Sequence, residues 1–355
     1  MLISFLIAVA KVLVLMALFL AATAWNTLVE RKVVAPIQQR IGPNRAGPWG
    51  LLQPIADAVK LFFKEDIITD KSEKFLYHLA PILSVTTALL FIAMVPFGPE
   101  VPGLENLPGA WNKFSMADLN VALLFVLAIS SIGVYSVLLG GWSGNSKYSL
   151  LGGMRSGAQM ISYEIAMGLS LIPVIMSAGS LSLHDIVAAQ GDYWNLFRAP
   201  WGPIGFFVFF MAILAESNRA PFDLVEAEQE LVGGYHTEYS SMKFGGFFVA
   251  EYGNLITISA LIVTFYLGGW QGAIPVVDIN FPAWLVPWLG LVWFGLKTFF
   301  VITVIVWIRW TFPRPRYDQL MGWGWKVFFP LALGNVFLAG VLIYFGQNLG
   351  IGFFG

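Results

Sequence analysis

The chain has 355 residues, a mean hydropathy of +0.73 and 57% hydrophobic residues, 30 Phe and 14 Trp among them, against 12% charged residues. A water-soluble chain of this length could not cover so much apolar surface, so its solvent is lipid. The net charge of −1 points to no nucleic-acid partner, and with zero cysteines the chain holds no disulfide and no cysteine-ligated iron–sulfur centre.

Apolar runs of about 18–25 residues read as transmembrane helices. The sequence predicts eight, near 2–25, 76–97, 119–141, 158–178, 201–216, 245–268, 284–308 and 327–346, in one membrane domain over 1–355. The first run is long and lacks a small-residue cleavage site, so it is read as a retained span rather than a signal peptide. Eight spans put both termini on one side. Lys and Arg then orient the chain. The first connection carries Arg31, Lys32, Arg40, Arg45, Lys60, Lys64, Lys71 and Lys74, and the seventh carries Arg309, Arg314, Arg316 and Lys326. The even-numbered connections hold only Lys113 and Arg198. Odd connections are therefore expected on the cytoplasmic or matrix side, with both termini on the periplasmic or intermembrane side.

The first connection, 26–75, is too long for a hairpin. Around 49–63, Leu51, Leu52, Ile55, Val59, Phe62 and Phe63 fall on one helical face and Asp57, Lys60 and Lys64 largely on the other. This predicts an amphipathic helix at the membrane surface, introduced by a rigid turn at Gly42, Pro43, Gly47 and Pro48. The outer loops at 98–117 and 179–200 read as ordinary connections.

The densest charge lies at Glu216–Glu230, ESNRAPFDLVEAEQE, where Glu216, Arg219, Asp223, Glu226, Glu228 and Glu230 are interleaved with Pro221, Phe222, Leu224 and Val225. Carboxylates held against apolar surface can exchange protons near neutral pH. Glu164, Glu251 and Lys297 lie inside the fourth, sixth and seventh spans, where ionisable groups usually face the protein interior and often mark ion pathways. One reading is a protonatable chain Glu164–Glu216–Glu251. The other is a structural ion pair such as Glu251 with Lys297. Tyr163, Gln159 and Ser162 beside Glu164 suit a water wire or helix packing equally.

A haem carrier would need paired histidines within spans, and His78, His184 and His236 do not provide them. Metal-ligand spacing and a nucleotide-binding fingerprint are also missing. Two classes remain on residues alone: a secondary transporter, or a membrane subunit of a larger proton-translocating machine.

Four strings decide between them. ERKVVAPIQQRIGPNRAGPWGLLQPIADAVKLFFKED (Glu30–Asp66), KYSLLGGMRSGAQMISYE (Lys147–Glu164), AESNRAPFDLVEAEQELVGGYHTEYSSMKFGGFFVAEY (Ala215–Tyr252) and PRPRYDQLM (Pro313–Met321) together closely resemble the quinone-site membrane subunit of respiratory complex I, the H subunit in bacteria and subunit 1 in mitochondria. The resemblance implies a subunit of an H+-translocating NADH:quinone reductase, without independent activity, in a bacterial inner membrane or its mitochondrial counterpart. FMN and iron–sulfur clusters would belong to partner subunits and quinone would be the substrate. Partners would be hydrophilic quinone-site subunits, small membrane subunits, antiporter-like subunits and lipid. The isoprenoid tail would enter between the amphipathic helix and the first, sixth and seventh spans. The tunnel and its charged neck would use Glu30, Arg31, Arg40, Asp57, Arg219, Asp223, Glu226, Glu228 and Arg309. The proton path would use Glu164, Glu216 and Glu251, with Glu230 linking it to the quinone chamber. Tyr163, Lys297 and Pro221 would support these roles, Pro221 as a movable joint. One departure stands out: some members carry a further acid in the third span, where this chain offers only Ser130, Ser131 and Tyr135, so the path here is expected to need water or hydroxyls. The equivalent membrane component of a related membrane-bound hydrogenase is the alternative, and the long first loop and full acidic signature favour the quinone branch.

Overall fold

The computed structural model describes residues 2–99, 114–191, 193–219, 221–223, 232–272 and 286–349, and among them the chain is entirely helix and connection, without strands. The long helices are α1 (Leu2–Ile37), α3 (Lys74–Ala93), α4 (Ala122–Ser143), α5 (Lys147–Ala178), α7 (Trp201–Glu216), α8 (Ser241–Tyr266), α9 (Val286–Thr311) and α11 (Phe329–Leu349). Shorter ones are α2 (Gln53–Phe63), α6 (Leu183–Ala188) and α10 (Tyr317–Trp323), the last joined to α11 by a π-turn at Gly324–Phe328. A helix satisfies its own backbone, which lipid cannot do, so continuous apolar runs become helices here. Seven stretches among the described residues are long and apolar enough to cross a membrane. The eighth, α7, has 16 residues, or about 24 Å at 1.5 Å per residue, less than the roughly 30 Å of a hydrocarbon core. Its C-terminus therefore leaves Glu216 inside the helix bundle.

Helix α8 is the hub. It packs against α1, α2, α3, α6, α7 and α9, and nearly every residue from Leu255 to Tyr266 is buried. A helix apolar on all sides is one surrounded by others. Around it, α3–α4, α4–α5 and α5–α7 pack in sequence, and α11 closes against α5 and α7.

The outer loop at 179–200 is more than a connection: it caps α8. The last carbonyls of a helix have no partner within it. Here Gln190 Nε2 donates to the carbonyl of Thr264 at 2.8 Å and Asn195 Nδ2 to that of Phe265 at 2.8 Å. Lys297 Nζ donates to the carbonyls of Leu267, Gly269 and Gln271 at 2.7, 3.1 and 2.7 Å and lies over the Trp194 ring. This corrects the expected pairing of Lys297 with Glu251. The ammonium is held by backbone oxygens at the far end of α8, and Glu251 pairs elsewhere.

Two further expectations shift. The first helix continues past 25 to Ile37, carrying Glu30 and Arg31 on the helix itself, and α5 begins at Lys147 rather than near 158, so Arg155 is helical. The amphipathic helix starts at Gln53, after a 3-10 turn at Pro48–Gly50 that only glycine completes: Gly50 has φ +79°, and a Cβ there would lie 2.3 Å from the Pro43 carbonyl oxygen. Ile55, Val59, Phe62 and Phe63 are exposed, while Trp25 Nε1 donates to the carbonyl of Leu51 just before α2 and Ser241 Oγ to that of Leu61, tying this segment to α1 and α8.

Candidate functional site

Two charged centres lie on the side of the bundle that holds the first and fifth connections. In the first, Glu30 on α1 is buried and accepts from Arg309 Nη1 on α9 at 2.6 Å and from Arg219 Nη1 at 3.2 Å. Arg219 is 1% exposed. Its Nε lies 3.0 Å from Glu251 Oε1 on α8, an ion pair without hydrogen-bond alignment, and its guanidinium stacks 4.5 Å over the Tyr252 ring. The Tyr252 hydroxyl lies near Glu30. Two carboxylates thus meet two guanidiniums. Burial opposes the charge on Arg219, but the carboxylates of Glu251 and Glu30 outweigh it and hold its pKa above the ordinary arginine range.

Tyr252 also lines an apolar cleft of about 590 Å³ between α1, α2 and α8, along with Leu20, Thr27, Asp57, Phe62 and Gly245. The wall is almost wholly aliphatic and aromatic, with Asp57 and Tyr252 as its main polar points. Asp57, expected on the wet face of α2, faces α1 instead: its Oδ2 is 2.8 Å from Arg31 Nη1, and its Oδ1 accepts from Gln53. Of the polar side of α2, Asp57 turns to Arg31 of α1 while Lys60 and Lys64 stay exposed. Arg31 and Arg40 line a basic hollow together with Arg45 and Gln53. The seventh span does not line the main cleft; it borders a separate apolar groove of about 470 Å³ lined by Asn26 of α1, Ile256 and Ala260 of α8 and Phe294 of α9.

The second centre shares Glu251 with the first. Glu216 at the end of α7 and Glu251 both line a cavity of about 70 Å³ walled by Ser84, Thr87, Ser130 and Asn254. A water needs roughly 10–15 Å³ of such space, so the cavity is large and polar enough for several. Ser130 Oγ of α4 donates to Glu216, and Ser131 Oγ donates to Glu164 on α5. The structure therefore brings Glu164, Glu216 and Glu251 into one neighbourhood, with serine hydroxyls of the third span between the first two.

Other candidates take structural places. Tyr163 faces away from Glu164's partners; its hydroxyl donates to the Leu320 carbonyl and its ring meets Phe222 and Phe328. Gln159 Nε2 donates to the carbonyls of Ala215 and Phe222, clasping the described part of the fifth connection around Pro221. Asp223 pairs with Arg314 Nη2 at 3.1 Å, a partner that sequence reasoning missed, as it missed Tyr252. Glu226, Glu228 and Glu230 lie outside the described residues. No group of three or more His, Asp or Glu that could hold a metal occurs among the described residues.

A family model described as NADH dehydrogenase matches residues 10–340. The chain is 50% identical over 343 residues to the first of the NADH-quinone oxidoreductase H subunits of Geobacter sulfurreducens, covering 94% of each. It is 49% identical to the NADH-quinone oxidoreductase H subunit of Magnetococcus marinus, over 95% of this chain and 91% of that one. Against the second of the NADH-quinone oxidoreductase H subunits of Rhizobium etli it is 46% identical, over 97% and 96% of the two chains.

Proposed function

The chain belongs to the NADH dehydrogenase family, in the line of the H subunits of NADH-quinone oxidoreductase, and from there we propose that it forms the membrane part of a quinone tunnel and couples quinone reduction to proton translocation. The observation that carries this reading is the double placement of Glu251. It is ion-paired to Arg219, which holds Glu30 beside the cleft, and it also lines the cavity that contains Glu216.

An isoprenoid tail suits the cleft between α1, α2 and α8, whose lining is apolar and which lies under the interfacial helix. The headgroup passes the charged neck of Glu30, Arg31, Arg40, Asp57, Arg219, Asp223 and Arg309, with Glu226 and Glu228 from the acidic connection. Quinone reduction consumes two electrons and two protons, so charge changes in or near the tunnel. In a low-dielectric site such a change is felt strongly by paired carboxylates. A negative charge arriving near Arg219 competes with Glu251 for the guanidinium. Glu251 is then drawn to take a proton, and the change passes through the cavity to Glu216 and on to Glu164, with Glu230 connecting the path to the quinone chamber. The electrons arrive through partner subunits that hold FMN and iron–sulfur clusters, and antiporter-like subunits receive the charge. The basic connections face the cytoplasm of a bacterial inner membrane.

The test is Glu216→Gln in membranes where assembly of the complex is verified. NADH–quinone turnover and proton uptake are lost while NADH–ferricyanide activity stays intact; equal loss of both activities contradicts the reading.

A further inference from the structure

The third span, α4, carries no carboxylate, yet it lies between α3 and α5 and reaches two acids of the second centre. Ser130 and Ser131 are consecutive, so their side chains leave the helix about 100° apart. One therefore meets Glu216 on α7 and the other Glu164 on α5. Such a pair of contacts from neighbouring residues places two hydroxyls between two acids.

Two details give these hydroxyls a role beyond packing. A hydroxyl has one proton to donate and lone pairs to accept with. Ser131 Oγ has two acceptors within reach, the Glu164 carboxylate and the Leu127 carbonyl oxygen at 3.1 Å. It can donate to Glu164 when that acid is ionised, and turn to Leu127 when Glu164 is protonated and itself donates. On the other side, Glu216 uses Oε1 with Ser130, while its buried Oε2 has no hydrogen-bond partner among the described residues. That oxygen is the natural seat of a proton arriving from the cavity.

We infer that Ser130 and Ser131 form the proton-relay junction between Glu216 and Glu164. The inference rests on the carboxylate-path reading given above. In one passage the Glu216 carboxyl turns its protonated oxygen to Ser130 Oγ and hands the proton over as Ser130 releases its own to a water, which in turn passes a proton to Ser131 Oγ. The same exchange at Ser131 delivers a proton to Glu164. Only O–H bonds form and break, each hydroxyl ends as it began, and only the two carboxyl groups change charge. The junction carries protons without storing one, so the step adds no buried charge of its own.

The experiment compares four forms of the complex in native membranes with assembly verified: wild type, Ser130→Ala/Ser131→Ala, Ser130→Thr/Ser131→Thr, and Glu216→Gln. Proton translocation, NADH–quinone turnover, NADH–ferricyanide activity and the solvent deuterium isotope effect are read for each. The alanine pair loses roughly tenfold or more of coupled turnover, in the range by which a missing proton-transfer group slows a reaction, and keeps ferricyanide activity. The threonine pair, which retains the hydroxyls, keeps most of the coupled rate with a normal isotope effect. If the alanine pair pumps like wild type while Glu216→Gln does not, the junction is overturned and the carboxylate path stands. If Glu216→Gln also pumps like wild type, the path itself falls. Equal loss in the alanine and threonine pairs assigns the serines to packing and overturns the inference. Should the alanine pair fail to assemble, Ser131→Ala alone is judged against Ser131→Thr by the same readings.

Discussion

Arg219 has the least room for compromise of any residue in the site. It is fully buried among Glu30, Glu251 and the Tyr252 ring, so removing it leaves two carboxylates without their shared counter-charge. Breaking a buried pair by deleting one partner costs about 3–5 kcal/mol. Arg219→Met is therefore expected to lower the thermal stability of the assembled complex by that order, and Glu30→Gln with Arg219→Met together to cost less than the two singles summed. A thermal-unfolding comparison of the three variants checks this. His236 offers a second test. Burial holds its imidazole below the ordinary histidine range, with Glu251 opposing in part. The unfolded chain takes up a proton near pH 6.5 where the folded one resists it. The stability contribution of neutral His236 is thus complete above that pH and falls away as pH drops through it. The stability difference between wild type and His236→Gln is expected to shrink from pH 8 to pH 5.5; a constant difference rules the effect out. At this scale the sequence marked three acids that the fold brings into one neighbourhood, and said less about the groups each one meets. Charge at membrane depth singled out Glu164, Glu216 and Glu251, because an ionisable group in a span demands a reason. Ser130 and Ser131 stood out as the hydroxyls of a span without an acid, but which acid each one meets, and the pairing of Arg219 with Glu251, depend on other elements and no local spacing announces them.

The helices themselves were written plainly in apolar runs, while their ends were not. Hydropathy marks where lipid begins, but α1 and α5 continue as helix beyond that depth because Glu30 and Arg155 find partners there: Glu30 meets two arginines, and Arg155 lies over Tyr317. The amphipathic face of α2 was legible from its period, whereas the inward turn of Asp57 depended on Arg31 of another helix. Least legible was the outer cap of α8, since backbone carbonyls leave no mark in a sequence. Lys297 looked like an ion-pair partner and is instead a tether for three carbonyls. Lys297→Met is accordingly expected to destabilise the assembled complex by about 1–3 kcal/mol through carbonyls left unsatisfied, with coupled turnover per assembled complex unchanged. A selective loss of turnover at normal stability would instead tie this lysine to the proton path. Close approach constrains the opposite end: a Cβ on Gly152 would lie 2.8 Å from Gly234 Cα, so even alanine there must push α5 away from the turn that precedes α8.

At the scale of the whole molecule, a hub helix touches both centres, and the cleft, the ion pairs and the cavity border different faces of one stretch of it. Gly245 and Tyr252 line the cleft, Glu251 pairs with Arg219, and Glu251 and Asn254 line the cavity. One stretch of α8, 245–254, thus borders both a greasy opening and a polar interior. This arrangement makes the central claim testable by plugging the opening alone. Ala58 lines the cleft on α2 and carries no charge itself, so Ala58→Phe narrows the cleft while every charged side chain is kept. The measurement is the KM of the assembled complex for a long-tailed quinone against that for a short-tailed analogue, with NADH–ferricyanide activity as control. The account predicts a rise of roughly tenfold for the long tail, on the order of 1.4 kcal/mol, with the short analogue and ferricyanide unchanged. An unchanged KM for the long-tailed quinone in the assembled Ala58→Phe complex would contradict it.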